Sequence, residues 1–305
     1  MTRVAVVAHR GKTIGGGLPE LRAVLARHGV TEPLWYEVPK SRKAPKRVRR
    51  ALGAGADLLV VWGGDGMVQR CIDEVAGTSA ALAVIPAGTA NLLASNLGIP
   101  TDLEAAVGVA VAGRRRRIDC GRIDGERFAV MAGVGLDALM IRDADGGLKD
   151  RLGRVSYVLT GAKNLRLPRF GARVRVDGVT WFQGKAGCVL VGNVGSLFGG
   201  IDVFPQAEPD SGRLEVGVVT AKGLTQWLRA LARTATGNAA RSPFVEVTSG
   251  TKVRVDLDRK MPVELDGGDR APRRRIRFRV EPQAVTVCVP ATVSADKGHD
   301  EGGAR

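Results

Sequence analysis

The sequence is poor in aromatic residues and in histidine, and it has no long apolar run. Aromatic residues make up 4% of the 305 positions, which argues against the aromatic platforms that bind single-stranded nucleic acid. With three histidines, we expect no histidine-based metal site. No run reaches the ~18 apolar residues of a membrane-spanning helix, and His9 and Arg10 interrupt the first apolar segment too early for a signal peptide. We therefore expect a cytoplasmic protein.

Cysteine is also scarce. The four cysteines, Cys71, Cys120, Cys188 and Cys288, lie one by one inside apolar segments, without the spacing of a metal site. Buried free thiols in a reducing compartment are the interpretation that fits this placement.

Acidic residues are outnumbered by basic ones. Lysine and arginine total 46 against 31 aspartates and glutamates, which gives a net charge of +15. The basic residues cluster at Lys40–Arg50, Arg114–Arg117 and Arg273–Arg275. Such a charge favours polyanions, namely nucleic acid, nucleotide phosphates or an anionic membrane surface. The alternative is an arginine-rich surface that serves only solvation, and the sequence leaves both open.

What the sequence does have is a repeated strand–turn–helix unit between positions 57 and 97. Each unit begins with a short apolar run without helical period, which is typical of a buried parallel strand. A glycine-containing turn and a helix follow. The predicted elements are strand Asp57–Trp62, turn Gly63–Gly66, a helix that buries Val68, Cys71, Ile72 and Val75, strand Ala81–Ile85, turn Pro86–Thr89 and helix Ala90–Leu97.

These two turns are suited to bind a phosphate. Glycine lets an anion approach main-chain N–H groups without Cβ atoms in the way, and the following helix offers its unpaired N–H groups and positive dipole end. Turns at the carboxyl ends of neighbouring parallel strands form one crevice. Beside a phosphate, the Asp65 carboxylate would bind a metal ion, accept a hydrogen bond from a ribose hydroxyl or transfer a proton. The alternative is a glycine-rich turn in which Asp65 only caps the helix.

The residues of both turns resemble a known family. GGDGMVQ (63–69) followed by IPAGTANLLASNLGIP (85–100) is similar to the signature of the diacylglycerol kinase catalytic-domain family. That family includes bacterial lipid kinases and sphingosine kinases, and it shares a fold with the NAD kinases. Later segments resemble the family in its order: 118–124, 131–140, 152–165, 199–219 and 262–269. The resemblance covers roughly positions 4–290.

The resemblance implies the fold and the domain organisation. It implies an α/β protein whose N-terminal Rossmann-like three-layer domain, with the GGDG turn, precedes a C-terminal β-sandwich domain, as in the NAD kinases and diacylglycerol kinases. Short, turn-separated β-rich segments from Ile118 onwards also favour a sandwich. We place the nucleotide-binding domain at 1–117 and the lipid kinase domain at 118–290. A polar, glycine-rich tail at 291–305 is expected to be disordered.

The resemblance also implies ATP and Mg²⁺ as cofactors and a hydroxyl-bearing lipid as acceptor. An apolar slot for acyl chains would be lined by two predicted helices, 147–165 and 224–236, whose alternative role is core packing. The residues implied in nucleotide binding are Gly63, Gly64, Asp65, Gly66, Met67, Val68, Gln69, Gly88, Thr89 and Asn91.

Asp65 is the first candidate for an essential carboxylate, and Asp137 is a second, with a capping role equally open. The family also places a catalytic Glu after an Asp-Gly near the C-terminus, but here Gly268 occupies that position. Asp266 keeps the matching Asp, and Asp269 lies one step further. We predict Asp266 and Asp269 as catalytic candidates, although ~1 Å of misplacement can cost a hundredfold in rate.

A structural Mg²⁺ in some bacterial members lies where this chain has Asp210 and Ser211. The family has Asp-Gly there, and here Ser211 precedes the glycine. We predict Asp210 and Ser211 as the metal ligands, with the Asp displaced by one position.

Three alternatives to a lipid kinase remain at this stage. A kinase of the NAD kinase type would have the same fold and a soluble acceptor. A nucleotide- or lipid-binding module without catalysis would fit Gly268 and Ser211. A nucleic-acid-binding protein would explain the charge but not the paired turns, so we expect no nucleic-acid partner. We instead expect the basic surface to hold the protein on an anionic membrane. The sequence does not indicate the acceptor lipid or the oligomeric state.

Overall fold

A computed structural model describes residues 2–135, 169–197, 201–221 and 244–291. Within those ranges, no helix is both long enough and apolar enough to cross a bilayer. Four of the predicted features lie outside the described residues. They are the helices at 147–165 and 224–236, Asp137, and the tail from 292.

The N-terminal part is a parallel sheet with helices on both faces. The strands pair in the order β4-β3-β1-β2, and β3 and β4 are buried along their whole length. The elements are β1 (Val4–His9), α1 (Gly17–Arg27), β2 (Leu34–Val38), α2 (Ala44–Gly53), β3 (Leu58–Gly63), α3 (Asp65–Val75), β4 (Ala81–Pro86), α4 (Leu92–Asn96) and α5 (Leu103–Ala112).

The three layers follow from the alternation of buried side chains in the strands. Val60 and Trp62 of β3 pack with Leu25 of α1 and Val107 of α5. Their neighbours in the strand, such as Val61, pack on the other face with residues of α2, α3 and α4. Successive strand residues point to opposite faces, so each apolar strand contributes side chains to the cores on both sides of the sheet. The predicted three-layer α/β domain is confirmed.

The C-terminal part is antiparallel and has its own core. Its strands pair in the order β14-β13-β10-β7-β15-β16, with β8–β9 attached to β15 and β5–β6 attached to β16. The strands are β5 (Arg114–Ile123), β6 (Glu126–Phe128), β7 (Met131–Gly135), β8 (Phe170–Val176), β9 (Val179–Ala186), β10 (Cys188–Gly192), β11 (Ser196–Leu197), β12 (Ile201–Asp202), β13 (Leu214–Val219), β14 (Val245–Gly250), β15 (Lys252–Leu265) and β16 (Gly268–Val289).

Strand β16 joins the two parts into one sheet. Its 22 residues pair with β15 and β5, and near its end Thr286 and Val287 pair in parallel with Ala81 and Leu82 of β4. The sheet is therefore continuous through both cores. Strand β5 likewise begins at Arg114, before the boundary predicted at 117.

Several predicted elements differ in length from those observed. The short β-rich segments expected from Ile118 onwards are replaced at the end of the sandwich by two long strands, β15 and β16, because bulges continue the pairing across the irregular positions. The basic cluster 114–117 forms the first part of β5. Helix α4 begins at Leu92 rather than Ala90, because Asn91 adopts a left-handed conformation (φ 48°) that a helix does not tolerate.

Candidate functional site

The two glycine turns touch each other at the carboxyl ends of β3 and β4. Gly63 pairs with Pro86, and the Ala87 N–H donates to the Gly63 carbonyl at 3.0 Å. A Cβ atom on Gly88 would lie 2.5 Å from the Cα of Gly64, closer than side chains can approach a backbone. Glycine at 64 and 88 is therefore required for this contact.

Asn91 holds the second turn in shape. Its Oδ1 accepts a hydrogen bond from the Gly88 N–H at 2.8 Å, and its Nδ2 donates to the Gly88 carbonyl at 2.9 Å. This amide mimics a backbone partner for the turn. Its neighbour Thr89 is exposed, so the Thr89 hydroxyl is accessible to a ligand while the Asn91 amide is engaged in the fold.

Gly66 is the one glycine of the first turn for which the fold gives no reason. A Cβ on Gly63 would lie 2.8 Å from Met67 Sδ, so Gly63 is needed for packing. A Cβ on Gly66 would meet no atom within 4 Å, and Gly66 is helical without a positive φ. Alanine would favour the helix by about 1 kcal/mol. Open space at a helix N-terminus is what an approaching anion needs, and Gly66 leaves that space free.

The Gly66→Ala variant separates these roles. We expect higher thermal stability, because alanine favours the helix, together with at least about tenfold weaker ATP binding, because the methyl group occupies the path of the phosphates. Calorimetric titration and thermal unfolding measure the two effects. Gly53→Ala is the matched control, since Gly53 is also helical and open on its Cβ side. Unchanged ATP affinity in Gly66→Ala would contradict a phosphate site here.

Three other residues of the predicted nucleotide set have side chains that face the interior. Met67 and Val68 are 1% and 3% exposed and belong to a hydrophobic core. Their N–H groups donate to the Gly64 carbonyl at 2.9 and 3.1 Å. Gln69 donates from Nε2 to Asp73 and to the Arg127 carbonyl, each at 2.8 Å. The amides of Asp65 and Gly66 precede those used by the helix, so they are the ones suited to a phosphate.

Asp65 connects the two turns. It is the first residue of α3, and its Oδ1 accepts from the Leu93 N–H at the start of α4, at 3.4 Å. Burial raises the pKa of the Asp65 carboxyl, while the amides of Leu93, Leu92 and Asn91 act in the opposite direction. A carboxyl with a raised pKa at the mouth of a glycine crevice is suited to proton transfer.

Asp266 lies in a tight turn between β15 and β16. Asp266 and Gly267 both have positive φ, 44° and 79°, which is the type I′ hairpin turn for which Asp-Gly is favoured. The Asp266 carboxylate is buried and accepts three backbone hydrogen bonds, from the N–H groups of Ala129, Val130 and Met131 at 2.7, 3.0 and 2.9 Å.

The structure brings Asp266 near Asp65. Burial raises the pKa of Asp266 to about 7, the three amides lower it, and the negative charge of Asp65 adds to the rise. Two acidic groups therefore share this side of the crevice. With its oxygens engaged by backbone amides, Asp266 fixes the hairpin against 129–131.

Asp269 is not brought into this pair by the hairpin. In the register of the hairpin Gly268 pairs with Leu265, whereas Asp269 pairs with Glu264. Successive residues of a strand face opposite sides, so a carboxylate at 269 does not point where a side chain at 268 would. Asp269 is also exposed. The one-residue shift therefore leaves the position of the family's Glu without a carboxylate.

The turn that contains Asp210 and Ser211 does not fit a metal ion. Arg116 binds the Asp210 carboxylate through Nε and Nη2 at 2.8 and 2.7 Å, and this ion pair lowers the pKa of Asp210. Ser211 Oγ accepts from the Arg213 N–H at 3.3 Å. Across the described ranges, no group of three His, Cys, Asp or Glu residues could hold a metal. The guanidinium supplies the positive charge at Asp210, and we derive no step through a metal there.

The structure contains a set of hydrogen bonds between α3 and β6 that the sequence did not predict. Asp73 Oδ1 accepts from the Arg127 N–H at 2.8 Å, and Arg127 Nε binds Glu281 at 2.6 Å. Together with Gln69, these contacts tie the helix behind the first turn to the C-terminal strands. The spacing of Gln69 and Asp73, four residues apart on one helix face, was the only local signal.

Comparisons with known proteins match both parts of the chain. Residues 10–123 match the model of the diacylglycerol kinase catalytic domain, and residues 130–289 match that of the YegS C-terminal NAD kinase beta sandwich-like domain. A Pseudomonas aeruginosa protein named "Probable lipid kinase YegS-like" is 32% identical over 95% of both chains.

Solved structures agree in fold. A diacylglycerol kinase from Bacillus anthracis has a TM-score of 0.77 at 21% identity and covers 94% of this chain and 96% of its own. An NAD kinase from Archaeoglobus fulgidus in complex with ATP has a TM-score of 0.52 at 14% identity, covering 94% of this chain and 93% of its own. The α/β domain followed by a β-sandwich is thus a fold shared with both kinds of kinase.

Proposed function

Because this chain belongs to the diacylglycerol kinase catalytic-domain family and carries its YegS-type C-terminal domain, we propose that it is an ATP-dependent lipid kinase. It transfers the γ-phosphate of ATP to a hydroxyl group of diacylglycerol or a related lipid. The observation that carries the proposal is the pair of apposed glycine turns, with Gly66 open to an anion and Asp65 between them.

The nucleotide phosphates bind at the first turn. The N–H groups of Asp65 and Gly66 and the dipole of α3 receive them, and the exposed hydroxyl of Thr89 reaches them from the second turn. Gly64 and Gly88 allow the turns to meet, and Asn91 keeps the second turn rigid. Mg²⁺ neutralises the phosphate charge when bound, and since it is commonly held by phosphates and water with one or two carboxylates, this site needs no protein cage.

Asp65 orients the acceptor and receives its proton. The acceptor oxygen bonds to the γ-phosphorus, the bond from phosphorus to the β–γ bridging oxygen breaks, and ADP leaves. The hydroxyl proton passes to the Asp65 carboxylate, whose pKa is raised by burial. Asp266 holds the hairpin against 129–131.

A second candidate function is nucleotide or lipid binding without phosphoryl transfer. Gly268 favours it, because the family's Glu position has no carboxylate and the hairpin register directs Asp269 to the other face. In that case ATP would bind at the same turns, and no acceptor would be phosphorylated.

A panel of acceptors tests the proposal. Wild-type protein is incubated with labelled ATP, Mg²⁺ and diacylglycerol, a sphingoid base, phosphatidylglycerol or a polyprenol in detergent micelles, with NAD as the soluble acceptor. We expect one lipid class to be phosphorylated and NAD to remain unmodified. ATP binding without any product would favour the second candidate. Phosphorylated NAD would replace the lipid kinase by an NAD kinase type of activity.

A further inference from the structure

One face of the C-terminal sheet carries an array of basic side chains. On strand β15, Val253 and Val255 are buried in the sandwich core, while the alternate residues Lys252 and Arg254 face outwards. Strand β16 has the same alternation, with Ile276 and Phe278 buried and the alternate residues Arg275, Arg277 and Arg279 exposed. The outer face of β5, β16, β15, β8 and β9 is called the arginine face below.

The register of the strands places like charges directly opposite one another. Arg254 pairs with Arg277 on one side and with Arg175 on the other, which makes a row of three arginines across three strands. The next row runs Arg122, Arg279, Lys252. Like charges at directly opposite positions destabilise a sheet. The fold therefore maintains this arrangement at a cost in stability, and a polyanion bound to the face would remove the cost.

Internal acids neutralise only part of the arginine face. Asp256 pairs with Arg254 at 2.8 Å and with Arg275 at 2.9 Å. Glu281 pairs with Arg122 and Arg279, the two arginines of the second row. Counting the described residues alone, no carboxylate lies within 4 Å of Arg175 or Arg277. Among the described residues, Arg175 and Arg277, the two ends of the first row, are therefore uncompensated, while Arg254 between them is paired with Asp256.

Two adjoining shallow grooves cross the arginine face, with volumes of about 800 and 600 Å³. Both are lined by Arg175 and Arg254, so they form one surface. Ten basic residues and three acidic ones line the two: Arg122, Arg173, Arg175, Lys185, Lys252, Arg254, Arg274, Arg275, Arg277 and Arg279 against Asp124, Asp256 and Asp258.

The cluster at 114–117, by contrast, is largely engaged within the fold. Arg116 binds Asp210, and Arg115 donates to the Ala110 carbonyl at 3.3 Å and to Cys288 Sγ at 2.6 Å. Arg117 donates to the Gln283 carbonyl at 3.1 Å. These bonds hold β5 in place, and the larger array of basic side chains lies on the arginine face.

We propose that the arginine face docks on the anionic headgroups of a lipid bilayer. Strands lie about 4.8 Å apart and same-face residues about 6.8 Å apart, so the charges form a two-dimensional array. A bilayer presents phosphates in two dimensions, whereas a nucleic-acid strand presents them along a line and would cover a single row. Val179, beside Gly178 at the edge of this face, is 71% exposed and offers an apolar contact. The choice of a bilayer rests on the proposed lipid substrate.

The double variant Arg175→Gln/Arg277→Gln tests the docking face by sedimentation with vesicles. Wild-type protein should bind vesicles of phosphatidylcholine with phosphatidylglycerol and not phosphatidylcholine alone. Each basic residue at such a surface contributes a factor of about five, or about 1 kcal/mol, so we expect roughly 25-fold weaker partitioning. Arg42→Gln/Lys46→Gln removes the same charge from exposed positions near α2 and should cost less than about threefold, because salt screens distant charges.

Each other outcome overturns the inference. Unchanged vesicle binding in the double variant, or an equal loss in the control, would show that this face does not dock. Weaker binding to a DNA duplex with intact vesicle binding would assign the face to nucleic acid. The thermal midpoint of the double variant should be equal or higher, because like-charge contacts are removed; a lower midpoint would mean that these arginines stabilise the fold.

Sedimentation requires neither ATP nor turnover, so it is independent of the proposed activity. If wild-type protein phosphorylates no lipid in neutral detergent micelles but binds anionic vesicles through the arginine face, the proposed function fails and the docking face stands. If the double variant keeps its micelle activity and its vesicle binding, the docking face fails and the kinase stands.

Discussion

Replacement of Asp65 by Asn should lower kcat/KM for lipid phosphorylation by about 10²–10⁴-fold, the usual contribution of a positioned proton acceptor. The amide keeps the size of the side chain and can still accept from the Leu93 N–H, so the two turns should remain apposed. ATP affinity should change little, because the phosphates bind to backbone groups of the turn. The measurement is the initial rate of labelled lipid formation, together with ATP titration of the same preparation.

The matched control is Asp102→Asn. Asp102 also stands at the start of a helix, where its carboxylate accepts from the Ala105 N–H at 2.9 Å, and asparagine caps helices equally well. Its activity should equal that of the wild type. Because burial raises the pKa of Asp65, the acid limb of the wild-type kcat/KM profile should lie above the range of an ordinary aspartate. An Asp65→Asn variant with wild-type kcat/KM would exclude Asp65 as the proton acceptor.

Replacement of Asp266 by Ala should lower the free energy of unfolding by about 3–5 kcal/mol, since it leaves three buried N–H donors without an acceptor. These are the amides of Ala129, Val130 and Met131. Alanine is also disfavoured at the positive φ of this position, 44°. Urea unfolding measures the change. A loss below about 1 kcal/mol would mean that water replaces the carboxylate.

Asp177→Ala is the matched control for the turn itself. Asp177 and Gly178 form the same type of hairpin turn, with φ of 48° and 90°, but Asp177 is exposed and its bonds to Thr251 and Lys252 are open to solvent. Its replacement should cost about 1 kcal/mol. The difference between the two variants isolates the effect of burial.

The pH dependence of stability gives Asp266 a second signature. Burial raises its pKa in the folded protein to about 7 from 3.8, so between these values the native state holds a proton that the unfolded chain has lost. The contribution of Asp266 to the free energy of unfolding is therefore largest at low pH, and it diminishes as pH rises from about 4 to 7. In Asp266→Asn this component should be absent, so the wild type should lose more stability than the variant across that interval.

The sequence was most informative where structure is local. The turns after β3 and β4 were predicted because an apolar run, a glycine turn and a helical period occur within a few residues of each other. The resemblance to the diacylglycerol kinase family and the three-layer domain with a β-sandwich are confirmed. The nucleotide contacts of Gly63–Gln69 stay a prediction, and within that range the structure directs the Gln69 side chain to β6 instead of the turn.

The sequence was least informative where partners are distant in the chain. Arg116 and Asp210 are separated by 94 positions, and Asp266 by 135 or more from the amides it accepts. No periodicity relates such residues, so the ion pair at the predicted metal turn could not be anticipated. The arginine face has the same origin, since 273–275 was visible as a cluster but the alignment of Arg277 with Arg254 and Arg175 depends on strand register.

The pairing of β16 with β4 also sets the order in which the protein can fold during synthesis. Thr286 joins Ala81, so β4 emerges from the ribosome about 200 residues before its neighbour. At a synthesis rate of about 5–20 residues per second, the backbone groups at this edge of β4 stay unpaired for roughly 10–40 s. During that interval the nascent first domain exposes an unpaired strand edge, and the last strand in the described part of the chain completes the parallel sheet.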